Sequence, residues 1–225
     1  MKVTILKRIS FEELEQLLRQ VPLKGRDSSG NQIFPYATAR ISSKSFYADE
    51  VNPSTFYLLK SGLERQRELR SSLMDQYGID TLCLDGALHF RVEGEDILEH
   101  EREKMLIPPI IEFTPRFIVY QPQSGEIDYS EIVVKAYIPL INDGAHRAFL
   151  AKELGIPFNV AFISQSSEEY SFYAHANSWG NVRVVDEVPA RKEDKKLYRL
   201  PDCYAVYRDF GILGCGDPRK AGAKS

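Results

Sequence analysis

Apolar residues recur at helical spacing near the start of this chain and at strand spacing further on, which sets the expected order of elements. Phe11, Leu14, Leu17, Leu18 and Val21 form an apolar stripe, and Ser10-Phe11-Glu12-Glu13 ahead of it is a capping box that predicts a first helix. A second helical pattern runs from Thr55 to Tyr77 on Phe56, Leu59, Leu63, Leu69, Leu73 and Met74, weakened at Gly62 and ended by Gly78. Between them, the polar stretch from Lys24 to Asn31 and Asn52-Pro53-Ser54 read as loops. Ile79–Leu84 and Leu88–Val92 flank Asp85-Gly86 and predict a β-hairpin, and the charged segment Ile97–Lys104 reads as helical.

Strands are expected at Ile110–Phe113, Phe117–Tyr120 and Ile132–Leu140, with a turn at Gln123-Ser124-Gly125. Phe149, Leu150 and Leu154 then return to helical spacing before Gly155, and Pro157–Ala161 follows as another strand. Beyond it the pattern predicts a short helix at Ser167–His175, a last core strand at Val182–Val185, a strand at Tyr204–Tyr207 and a mobile tail over residues 217–225. The whole reads as a mixed α/β (α+β) chain.

The chemistry concentrates in Asn142-Asp143-Gly144-Ala145-His146-Arg147, where the apolar strand passes into the amphipathic helix. A helix start offers unpaired N–H groups and the positive end of the dipole to an anion. Asp143 is expected to cap the helix, Gly144 to open close approach for a ligand, and His146 and Arg147 to add donors. A guanidinium there can fork onto a phosphate, the plainer alternative being an exposed Arg147 paired with Glu153. For His146 the alternative to a phosphate contact or proton transfer is a structural histidine bonded to the loop. Asp143 beside phosphate is repulsive unless it caps, holds a metal or accepts a proton.

The segment Ile132–Ile163 resembles the ParB/sulfiredoxin superfamily through D-G-x-H-R between strand and helix, read here as Asp143-Gly144-Ala145-His146-Arg147-Ala148, followed by Leu154-Gly155 and a strand. The resemblance implies a ParB/sulfiredoxin-like core at 79–190, preceded by an N-terminal helical extension (1–78) and followed by a basic segment with a tail (191–225), as a single domain. It implies ATP or another nucleoside phosphate with Mg2+, bound by Asn142, Gly144, Ala145 and Arg147. In the superfamily's small-molecule kinases an acidic residue takes the substrate hydroxyl's proton. Glu112 is the candidate here, against the plainer reading of a solvent-facing strand residue. Arg208 and Asp209 offer an alternative phosphate clamp and acid. Sulfiredoxins carry a reactive Cys in G-G-C-H-R where this chain has Ala145, so sulfinic acid reduction lacks its nucleophile.

At 225 residues and 43% hydrophobic the chain can bury a large core. No apolar run approaches the roughly 20 residues that span a bilayer, and the early lysines do not suit a secretory signal, so a cytoplasmic protein is expected. Cys83, Cys203 and Cys215 lack paired metal spacing and read as reduced thiols, with no metal-ligand set in view. The net charge of −3 divides into +4 over residues 191–225 and −7 elsewhere. Arg191, Lys192, Lys195, Lys196 and Arg199 form either a solvated loop, the plainer reading, or a phosphate surface. Gly211–Gly216 has neither P-loop nor Rossmann spacing, and His175, Asn177 and Trp179 fit either a pocket wall or a loop packed on the core.

The expected function is therefore a nucleotide-dependent phosphotransferase or nucleotide hydrolase acting on an unidentified small-molecule acceptor. The alternative is a non-catalytic ParB-like nucleotide-binding or DNA-associated module, and a third possibility is a scaffold that has lost the ligand. DNA is the less favoured partner, because residues 164–225 show no helix pair for a helix-turn-helix and the chain is acidic.

Overall fold

The computed structural model describes residues 1–93, 99, 102–120, 132–199 and 203–215, with the side chains of 116–120, 132–135 and 168 left aside. Its centre is a four-stranded sheet in the order β2 (Arg40–Phe46), β8 (Phe158–Ser164), β6 (Ile110–Tyr120) and β7 (Ile132–Asp143). β6 runs parallel to β8, and the other neighbours are antiparallel. Alternation along these strands feeds two cores. Ile41, Ile110, Ala161 and Ile163 pack with Leu14 and Leu18 of α1 (Phe11–Arg19) on one face. Ile111, Ile141, Val160 and Phe158 pack with Ala148, Leu150 and Ala151 of α3 (Ala145–Leu154) on the other.

A second sheet, β1 (Lys2–Ile9), β4 (Ala87–Glu93) and β5 (Glu103–Leu106), is antiparallel throughout. Val3, Leu88, Phe90 and Leu106 from it meet Leu69 and Leu73 of α2 (Lys60–Tyr77). A short parallel ladder joins β3 (Tyr57–Leu59) to β9 (Arg183–Val185). No described helix is long and apolar enough to cross a membrane.

The α/β class holds, as does the first helix with its full capping box, Ser10 accepting from Glu13 N–H and Glu13 from Ser10 N–H. The strand that enters a helix at Ala145 also holds, three residues longer than the pattern indicates. Other expectations differ. Asp85-Gly86 is no hairpin turn: the residues before it are not a strand, and β4 pairs instead with β1 and β5. The second helix starts only at Lys60, behind β3. Lys104 lies in β5 rather than a helix. Phe117–Tyr120 continues Ile110–Phe113 as one strand, because β7 pairs along its whole length. Only Glu168–Tyr170 of the expected 167–175 helix forms a single 3-10 turn, and Tyr204–Val206 is another such turn rather than a strand. β9 is an exposed edge, not a core strand. Gln123–Gly125, His100 and the 217–225 tail lie outside the described residues.

Candidate functional site

Asp143 closes β7 opposite Ile110 of β6, and Gly144 turns the chain into α3. Gly144 itself is the N-cap, at φ 84°, and no side chain caps the helix, so Asp143 does not play the expected capping role. The local backbone by itself requires glycine here. A left-handed backbone disfavours any Cβ, and one built there would lie 2.7 Å from Pro109 Cβ. Asp143 is left half-exposed, its carboxylate 3.9 Å from Arg147 Nη2.

Arg147 is not the exposed helical arginine of the plainer reading. It is buried, its Nη1 donates to the Ile107 carbonyl, and Glu153 pairs with Arg67 instead. His146 Nε2 accepts the Leu59 N–H at 3.2 Å, closing the start of α2, where Leu59 is an N-cap with no side-chain acceptor of its own. The ring sits so close to α2 that a Cβ on Gly62 would be 2.6 Å from Nε2. This explains a glycine that the helical pattern alone makes unfavourable. Asp143, Gly144, His146 and Arg147 together wall a cavity of about 110 Å³ with Gln66 and Cys215. Ala145 packs toward the α3 core, so neither it nor Asn142 is among the cavity residues. Burial pushes the Cys215 thiol up to about 12.

Asn142 turns to the opposite side of the strand and enters a buried polar cluster. Its Nδ2 donates to Tyr36 Oη (2.8 Å) and to Glu112 Oε2 (3.2 Å), and Tyr36 Oη donates to the same Oε2 (2.8 Å). Arg208 Nη2 donates to Glu112 Oε1 at 2.7 Å and to the Tyr170 carbonyl at 2.7 Å, with the two charged side chains 0% and 1% exposed. Glu112 is thus buried rather than solvent-facing, because the sheet face it shares with Ile110 is covered. Arg208 is paired with this carboxylate. Desolvation works against its charge, and Glu112 and Tyr36 together, through charge and hydrogen bonds, outweigh it, leaving the pKa raised. Burial, followed by the Glu112 charge, drives Tyr36 well above its ordinary value. Asp209 points away to Lys24, 2.8 Å distant.

Lys196 is the residue of the basic run that approaches the site. Its Nζ donates to Ser54 Oγ at 3.1 Å, and it lies over the rings of Tyr173 and Phe172. Burial depresses it to about 8, against the opposing pull of Asp143. Arg191 instead pairs with Asp194. Asn177 and Trp179 bond to the backbone at Thr55 and Ala48, as a loop packed on the core would. Tyr36, Ser54 and Tyr173 carry no motif, and only the three-dimensional fold reveals them.

The geometry therefore divides at the end of β7, with a closed polar cluster behind Asn142 and a small cavity ahead of Asp143. The sequence model of the ParB CE domain family matches residues 13–184, a span that includes both. The chain belongs to the ParB CE domain family. No curated protein and no solved structure matches it. Within this ParB CE domain the matched span reaches from α1 to β9 and omits Arg208 and Lys196, which are supplied by the segment beyond it.

Proposed function

We propose that this ParB CE domain binds a nucleoside phosphate, ATP or a relative, with a phosphate group seated at the start of α3 beside Gly144 and Arg147, and transfers or hydrolyses it there. The observation that carries this reading is the cavity of about 110 Å³ at the start of α3, walled by Gly144, His146 and Arg147. It is well below the roughly 300–1,000 Å³ of pockets that enclose whole small molecules. Such a space suits a phosphate group, with sugar and base outside. The α3 dipole and the Arg147 guanidinium both favour an anion.

Of the three acid–base candidates, Glu112 already accepts from Arg208, Tyr36 and Asn142, and His146 Nε2 is occupied by Leu59 N–H. Asp143, half-exposed at the cavity, is the group placed to accept an acceptor's proton or to contribute an oxygen to Mg2+. No three His, Cys, Asp or Glu converge on a metal position among the described residues. This fits an ion that arrives with its phosphates and takes one or two protein carboxylates. Bound Mg2+ would neutralise charge on the phosphates.

The engagement of Glu112 and His146 also favours a second reading, a nucleotide-binding or DNA-associated module without turnover. Calorimetric titration of ATP, ADP and CTP, with and without Mg2+, tests binding, and phosphate release separates the two readings. Replacing Arg147 by Lys should weaken binding about tenfold to a hundredfold, since hydrogen bonds to charged groups contribute about 1.5–3 kcal/mol. Absence of nucleotide binding in the folded wild type would remove the first reading and leave the second only in its DNA-associated form.

A further inference from the structure

A large groove lies away from this loop, on the sheet face that carries α3. There α3 covers Ile111, Ile141 and Val160, and toward Arg40 and Pro115 the face opens into a groove of about 780 Å³. Each of the four strands contributes one ring, in strand order: Phe46, Phe162, Phe113 and Tyr137. Successive ring centroids are 5.8, 5.7 and 5.5 Å apart. Tyr137 is 43% exposed, and Phe46 and Phe113 are partly so. The β2 rim adds Arg40 and Lys44, and Lys44 Nζ stands 3.9 Å above the Phe162 ring. Among the described residues no Asp or Glu lines the groove and none pairs with Arg40 or Lys44. The local field is therefore positive on a chain whose net charge is −3.

We infer that this groove binds single-stranded nucleic acid, its bases stacking on Phe46, Phe113 and Tyr137 around the buried Phe162 and its phosphates meeting Arg40 and Lys44. Aromatic platforms with cations alongside suit unpaired bases, because every base has a stackable face while a duplex hides it. A row of rings crossing four strands is longer than one base needs, which favours a strand over a mononucleotide. The positive rim selects a polyanion over an apolar peptide. This inference stands apart from the phosphate loop and survives if that loop binds nothing.

Fluorescence anisotropy with a short labelled oligothymidylate at low salt is the test, run on the full chain with Tyr137→Ala, Tyr137→Phe and Arg40→Gln/Lys44→Gln, each checked for an unchanged melting temperature. Losing one stacked base weakens binding about fivefold to a hundredfold. Tyr137→Ala should show that loss, and Tyr137→Phe should bind as the wild type does. Removing both cations should reduce the slope of log affinity against log salt by about 1.4, at roughly 0.7 per phosphate contact. Duplex DNA and thymidine monophosphate should bind more weakly than the oligonucleotide. No binding, equal binding of duplex or monophosphate, or full affinity in Tyr137→Ala would each overturn the inference.

Discussion

Glu112→Gln separates a structural carboxylate from a catalytic one. The substitution keeps volume but removes the charge facing Arg208, whose side chain is 0% exposed, and turns an amide N–H₂ toward groups that already donate. Removing one partner of a buried pair costs about 3–5 kcal/mol, because the remaining charge stays buried without compensation. For a chain of this length each kcal/mol lowers the melting temperature by about 2–4 °C, so a fall of about 6–20 °C is expected. That is a large fraction of the roughly 5–15 kcal/mol that holds a domain folded. Glu112→Gln/Arg208→Met, which removes both charges, should be more stable than Glu112→Gln alone. Thermal and urea denaturation measure this. A Glu112→Gln protein with wild-type stability would refute the structural assignment, and lost turnover in that stable protein would restore Glu112 as a base.

Gly62→Ala should destabilise the wild type, since its Cβ would sit 2.6 Å from His146 Nε2 and displace the ring from Leu59 N–H. In a His146→Ala background the same change should become neutral or stabilising by about 1 kcal/mol, the ordinary helical gain of alanine over glycine, and denaturation of the four proteins closes the cycle. Lys196, depressed to about 8 from 10.5, binds fewer protons folded than unfolded between those values. Stability attributable to it therefore rises with pH from about 8 toward 10.5, and Lys196→Met should remove that rise when the two pH profiles are subtracted. Cys215, raised to about 12, is a neutral thiol at pH 7. Cys215→Ser should keep nucleotide binding, iodoacetamide should spare the native thiol, and the same should hold with Cys83 and Cys203 also replaced if the fold survives.

What the sequence revealed depended on how local the physics is. The Ser10–Glu13 box and the passage from β7 into α3 are set by neighbours within a few residues, and both are legible. β1 and β2 are not. Lys2–Ile9 carries three exposed basic side chains and pairs with a strand some eighty residues on, while Arg40–Phe46 buries only Ile41 and is placed by β8. The site divides likewise. Asp143, Gly144, His146 and Arg147 share a motif and do share a cavity. Their local contacts lie outside it: Gly144 rather than Asp143 is the N-cap and packs against Pro109, and His146 accepts from Leu59 at the start of α2, none of which the motif contains. Alternation correctly turns Glu112 away from Ile111 and Phe113, but it cannot say that Tyr36, Asn142 and Arg208 occupy the other side.

The central claim is that phosphate sits at the start of α3. A crystal structure of the full chain with Mg2+ and a non-hydrolysable ATP analogue tests it most directly. The account predicts a phosphate group in the cavity between Gly144 and Arg147, within hydrogen-bond distance of the Arg147 guanidinium and the first turn of α3, with Asp143 facing it or its metal. A nucleotide bound with its phosphates elsewhere, the cavity still closed by Arg147 on the Ile107 carbonyl, would contradict it.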